Sequence, residues 1–238
     1  MLLRTFRRPL ILGSVIGALL VSSGLSHSQV IRHGSPTCRG VALTFDMCPV
    51  RDGTGYDQAL IDLLKEHRIP ATFFLSGRWM AKHEDEVRAL LEVPFFEIGT
   101  HGQIHAHLPL LNDDAQRREI QDAVALLQTR YGRRSLLFRP PYGEYNDATV
   151  KLAHALGLQV ILWNVVSGDP DPRLSREQIF RTVKTAARNG SIIVFHANGK
   201  GRHTRAVIED LSQDLFLHQS LQPMTVSDLF TCTKQTTP

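Results

Sequence analysis

The chain has 238 residues, 42% of them apolar, enough to bury one sizeable core in a single domain. Its formal net charge is +4, but Arg4, Arg7 and Arg8 supply most of that excess in a stretch without acids. The rest is close to neutral, which argues against a nucleic-acid-binding surface.

Those arginines open the first element in chain order. They precede an apolar run from Leu10 to Val21 and small residues around Ser26-His27-Ser28. This is the order of a secretory signal, so residues 1–28 are expected to be a signal peptide and the mature chain to be exported, periplasmic or extracellular. The apolar run is short for a bilayer, so no stable membrane span is expected once it is removed. Three cysteines in an oxidising compartment allow one disulfide and leave one thiol. Cys38 and Cys232 flank the two ends of the mature domain and are expected to pair; Cys48 reads as a small buried residue.

From residue 40 onward, strands and helices alternate. Val41, Leu43 and Phe45 face one way and Ala42 and Thr44 the other, the period of a strand. A helix follows over 57–67, with Asp57 as N-cap and Leu60, Ile61, Leu63 and Leu64 at helical spacing. Next come a strand over 71–75, one helix over 78–91 and a strand over 95–99. The cycle repeats with a helix over 113–131, a strand over 135–138, a helix from Asn146 to Gly157 and a strand over 158–163. A helix capped by Ser175 and closed by Gly190, a strand over 191–195 and a long helix over 204–216 complete it. Residues 224–230 add a short strand and a turn. Six or seven such units predict a mostly parallel sheet covered by helices, either a barrel or an open doubly wound sheet. In both, function gathers at the carboxyl ends of the strands.

Four ionisable residues stand at such ends: Asp46, His101, Arg139 and His196. His101 and His105 are four apart, a spacing that suits a divalent transition metal, most often zinc, with a carboxylate completing the ligands. Asp46 is placed to act as a general base and His196 as the complementary acid. Arg139, fixed by the two prolines after it, would orient Asp46 and hold its pKa down. Taken singly, each has an ordinary alternative: a hydrogen-bonded histidine, a turn aspartate, a structural ion pair. Trp163 could stack on a sugar ring or serve as core. His107 reads as incidental.

In order, "TFDMCP", "HGQIH", "RPPYG", "WNVVSGDP" and "IIVFH" resemble the motifs of the polysaccharide deacetylases with a NodB-type domain, carbohydrate esterase family 4. The resemblance runs over about residues 38–230. It implies a distorted (β/α) barrel of about six or seven parallel strands in one domain. It also implies a metal-dependent hydrolase that removes N-acetyl groups from an amino-sugar glycan, chitooligosaccharide- or peptidoglycan-like. Asp46 would be the base, His101 and His105 metal ligands, Arg139 the support of the base and His196 the acid. Tyr142 would offer its backbone N–H to the oxyanion.

The departures are specific. Met47 stands where the family carries a second, metal-binding aspartate, and Gly102 where it carries Ser or Thr. Val166 occupies the place of an acid, and Asp169-Pro170 stands for Asp-Trp. The third ligand is therefore open between Asp52 or Asp57, Asp46 itself, and a site without metal. His203 would be a further ligand, a substrate contact or a flank of the last helix. Function is open in parallel: a glycan deacetylase, a C–N hydrolase for a small or cyclic amide, or a glycan-binding protein without turnover.

Overall fold

The computed structural model describes residues 30–232; the signal-peptide reading of residues 1–28 lies outside them. In chain order the strands are β1 (Val30–Ile31), β2 (Gly40–Met47), β3 (Ala71–Leu75), β4 (Phe96–Thr100), β5 (Leu137–Phe138), β6 (Gln159–Ile161), β7 (Val165–Val166), β8 (Ser191–His196) and β9 (Gln222–Met224). The helices are α1 (Gln58–Glu66), α2 (Gly77–Lys82), α3 (Glu84–Leu91), α4 (Asp113–Tyr131), α5 (Asp147–Ala155), α6 (Arg176–Ala186), α7 (Thr204–Leu211) and α8 (Val226–Thr231).

All strand pairs are parallel, in the order β1-β6-β5-β4-β3-β2-β8-β7, with β9 beside the start of β2. The sheet curls on itself, and an isolated bridge between His33, just after β1, and Ser191 at the start of β8 spans the gap. This is the distorted (β/α) barrel, with eight strands along the curl rather than six or seven. The extra ones, β1 and β7, are two residues long, too short to show a period.

Local chemistry explains most element ends. Asp57 caps α1 by accepting from the Leu60 N–H at 3.0 Å. Asn146 with Thr149 and Ser175 with Gln178 form reciprocal capping boxes. The single helix expected over 78–91 is two, because the backbone leaves helical geometry at His83, whose ring stacks on Trp79 at 4.7 Å. The long helix over 204–216 ends at Leu211 and continues as a wider π-type turn over 212–218. The turn expected in 224–230 is instead α8, capped by Thr225.

Packing follows the pleat of β2. Val41, Leu43, Phe45 and Met47 point outward into a core shared with Leu60, Leu64, Trp79, Val183 and Val207 of the surrounding helices. Ala42 points inward, where it meets Phe74, Ile161 and Ile192, and Val226 and Leu229 of α8 plug the amino-terminal end of the barrel. A disulfide between Cys38 and Cys232, with Cα atoms 5.7 Å apart, ties the plug to the foot of β2, as expected from their positions. No helix among the described residues is long and apolar enough to cross a membrane.

The bridge joins residues 194 apart in sequence, so reducing it releases a long closed loop in the unfolded chain. Cys232→Ser should lower unfolding stability by about 2–5 kcal/mol, measured by denaturant titration. Native-state hydrogen exchange should show α8 losing protection before the central strands.

Candidate active site

The carboxyl end of β2 sets the floor of the site. Its alternation carries Thr44 and Asp46 into the barrel and, one step past the strand, brings Cys48 to the same side. Met47 goes the other way and is fully buried with Leu43 and Phe45. Met47 therefore takes no part in the cavity, and the ligand that the motif would supply at this position is missing.

Arg139 is fully buried and holds Asp46. Its Nη1 donates to Asp46 Oδ1 and to Thr44 Oγ1, both at 2.8 Å, and Nη2 donates to the Leu162 carbonyl at 3.2 Å. The guanidinium lies over the rings of Phe74 at 4.0 Å and Trp163 at 5.3 Å. Burial by itself would raise the Asp46 pKa, but the charges of Arg139, His101 and His196 outweigh it and hold the carboxyl below its usual range. Deleting one partner of such a pair leaves a buried, uncompensated charge, at a cost of about 3–5 kcal/mol.

The two histidines arrive from the loop after β4. His101 Nδ1 is 2.8 Å from the Arg139 carbonyl, which can only accept, so the proton sits on Nδ1 and the Nε2 lone pair faces the cavity. Nε2 is buried, has no hydrogen-bond partner, and lies 3.6 Å from Asp46 Oδ2. Ligand atoms of Cys48, His101 and His105 all lie within 4.8 Å of one another. Burial opposes a charged thiol at Cys48, yet contacts with His101, His105 and His196 pull its pKa well below the ordinary value. Burial also opposes charge on His101, and Asp46 and Cys48 outweigh it in the other direction. The carboxylate of Asp46 and the thiol of Cys48 thus stand beside the two imidazoles at one point of the cavity. An orphaned imidazole nitrogen, a second imidazole and a thiol fit such an ion.

The carboxylates offered as a third ligand are elsewhere. Asp52 is exposed in a bend, and the Asp57 carboxyl is engaged as the α1 cap. Asp46 adjoins His101 but stands outside the three-residue group, its Oδ1 taken by Arg139. His203 flanks the start of α7 and does not line the cavity. Cys48, read from sequence as a small buried residue, is the group that faces both histidines. Extending the alternation of β2 by one more step would have found it.

Glu119 of α4 is another residue that the sequence did not single out. Its Oε1 accepts from the N–H groups of Ile104 at 2.9 Å and Ala106 at 3.0 Å, on either side of His105. His105 itself has a left-handed backbone with φ of 66°, and Gly102 has φ of 72°. A Cβ on Gly102 would come within 2.9 Å of Glu119 Oε1 and 3.0 Å of Pro141, so the glycine and the glutamate belong together. Tyr142, also left-handed with φ of 60°, packs edge-on against His105 and is stacked on His107 at 4.0 Å. His107 is therefore part of the rim, its Nδ1 2.8 Å from Glu144 Oε2. No acceptor engages the Tyr142 backbone N–H among the described residues.

His196 ends β8 opposite Asp46 in register. Its Nδ1 is 2.9 Å from Asp169 Oδ1, and Asp169 Oδ2 accepts from the His196 backbone N–H at 2.8 Å and from Thr204 Oγ1 at 2.7 Å. Burial pushes the imidazole pKa down, but the Asp169 carboxylate prevails and raises it to about 10. Asp169, noted in the sequence only as a departure, is what orients this imidazole. A cavity of about 320 Å³ collects these groups, with Trp163 and Tyr142 as walls and Val166 and Lys200 at its edge. A larger one of about 510 Å³, at the opposite ends of the strands beside Phe96 and Arg133, is lined by neither histidine nor cysteine.

A family model described as polysaccharide deacetylase matches residues 33–161. A peptidoglycan-N-acetylglucosamine deacetylase of Bacillus cereus is 32% identical over 194 residues, 79% of this chain and 87% of that protein. A chitooligosaccharide deacetylase of Rhizobium leguminosarum bv. trifolii is 30% identical over 162 residues, 66% of this chain and 71% of that protein. Among solved structures, a pseudoenzyme of carbohydrate esterase family 4 from Bacillus anthracis aligns with a TM-score of 0.76 over 85% of this chain and 69% of its own. At 24% identity that likeness is one of fold.

Replacing Glu119 tests how the histidine loop is held. Glu119→Ala should speed amide exchange at Ile104 and Ala106 by roughly tenfold or more, since each loses a hydrogen bond worth about 1 kcal/mol or more. Glu119→Gln, which keeps an acceptor, should restore most of the protection.

Proposed function

Because this chain belongs to the polysaccharide deacetylase family, we propose that it is a metal-dependent, exported glycan deacetylase that hydrolyses the N-acetyl group of an amino sugar. The observation that carries this reading is convergence: Asp46, His196 and the Cys48–His101–His105 group, from the ends of three separate strands, line one cavity. The Cys38–Cys232 bridge supports an oxidising compartment and hence export.

Cys48, His101 and His105 would hold the ion, which when bound supplies a Lewis acid toward the acetyl carbonyl and the attacking water. Asp46, kept ionised by Arg139, takes the proton of that water as it attacks. Arg139 does this without competing for the water, because both of its terminal nitrogens are committed to Thr44, Asp46 and the Leu162 carbonyl. Negative charge gathers on the former carbonyl oxygen, and the Tyr142 backbone N–H, in the wall of the cavity, is the donor for it. His196, held protonated by Asp169, then gives its proton to the departing sugar nitrogen. Trp163 and Tyr142 offer apolar faces to the ring of the sugar.

Acetate release from N-acetylated chitooligosaccharides or peptidoglycan, with and without prior chelation, tests the reading. Chelator-sensitive release is expected from the glycan; release from a small or cyclic amide alone would move the assignment to that substrate class. His196→Ala should reduce kcat by about a hundredfold or more while metal content stays unchanged. Undiminished turnover in that variant would remove His196 as the acid.

A further inference from the structure

We propose that Cys48 is a thiolate ligand of the catalytic cation, replacing the motif's aspartate, and that it makes the centre select a thiophilic ion such as zinc over oxygen-preferring ions such as manganese or magnesium. The inference rests on the metal-dependent reading above and deepens it.

Four observations converge. The pleat of β2 buries position 47 in the outer core and turns position 48 toward the histidines. Cys48 is 3% exposed, and its sulfur lies with the His101 and His105 nitrogens in one group within 4.8 Å. His101 Nε2 is buried and unpartnered, with its other nitrogen fixed by the Arg139 carbonyl, the state in which a ligand imidazole is held ready. The Cys48 main chain is itself pinned, its carbonyl accepting from Asn198 Nδ2 at 2.9 Å.

The donor set then decides the metal. Two imidazoles accept most divalent transition ions, whereas the third donor discriminates: carboxylate oxygen suits magnesium, calcium and manganese, and thiolate sulfur suits zinc. Binding forms a metal–sulfur bond and releases to solvent the proton shared between the sulfur and the neighbouring imidazoles, so no oxidant or reductant is involved. Asp46 keeps its place as base, since Arg139 already occupies one of its oxygens.

A rival assignment uses the same atoms. Asp169, His196 and Cys48 follow one another in contact, an arrangement that could serve a nucleophilic thiol without any ion. The experiment separates the two. The mature protein is stripped with chelator, loaded with cobalt(II), and examined for a thiolate-to-cobalt charge-transfer band in the near ultraviolet. Zinc and manganese affinities are then measured by competition with a chromophoric chelator, in wild type, Cys48→Ser and Cys48→Asp.

The band is expected in wild type and absent from both variants, and Cys48→Asp should shift the zinc-to-manganese affinity ratio toward manganese by at least about tenfold. Circular dichroism of each variant shows whether it is folded; should Cys48→Asp misfold, the Cys48→Ser spectrum still decides the ligand. Cobalt binding without the band would overturn the role of Cys48 while leaving a metal hydrolase on the two histidines. Failure of wild type to bind any divalent ion would instead remove the metal-dependent function. Mass-spectrometric detection of an acetyl thioester on Cys48 during turnover would assign the thiol as nucleophile and sink the ligand proposal.

Discussion

β2 is hydrogen-bonded to β3 and β9 along one edge and to β8 along the other, so its side chains have only two directions open to them. Everything at the centre of this molecule depends on how that strand divides its residues. Leu43, Phe45 and Met47 go outward to anchor the helices, and Thr44, Asp46 and then Cys48 go inward. A slip of one residue would exchange the two sets, burying a carboxyl among leucines and turning three large apolar side chains into a polar shaft. Such a register is strongly specified, and with it the identity of every group on the floor of the cavity.

Inside the barrel, polar residues succeed apolar ones from the α8 plug toward the mouth. Arg139 is the hinge of that change. Its aliphatic and planar parts lie against Phe74 and Trp163, while its nitrogens are all directed to Thr44, Asp46 and strand-end carbonyls. A buried guanidinium tolerates this environment because each donor has an acceptor and one acceptor is charged. The same residue offers its own carbonyl to His101, so base and candidate ligand are oriented by one side chain and one peptide of a segment stiffened by Pro140 and Pro141.

Each imidazole around the cavity has its own support. His101 has the Arg139 carbonyl, His196 has Asp169, and the loop of His105 has Glu119. Two non-glycine residues there, His105 and Tyr142, hold left-handed backbones, and such strain persists only where the surroundings over-determine it. Measured against the family motif, the opening segment looks damaged by Met47. Measured in space, a thiol stands on the inward side of that strand, grouped with the two histidines of the next motif.

Much of this was legible in the letters. Alternation and helical spacing located the strands and helices, cap residues at Asp57, Asn146 and Ser175 fixed where helices begin, and the Cys38–Cys232 pairing followed from their places at the ends of the domain. The ordered motifs brought Asp46, His101, His105, Arg139 and His196 into one hypothesis. Tertiary structure alone decided that Cys48 rather than Asp52 or Asp57 meets the histidines, that Asp169 holds His196, and that Glu119 grips the His105 loop. Local sequence determines which way a side chain leaves its own strand or helix, because pleat and helical turn are short-range geometry. Which groups then meet from separate strands, helices and loops is set by the curl and register of the whole sheet, and no local period encodes that.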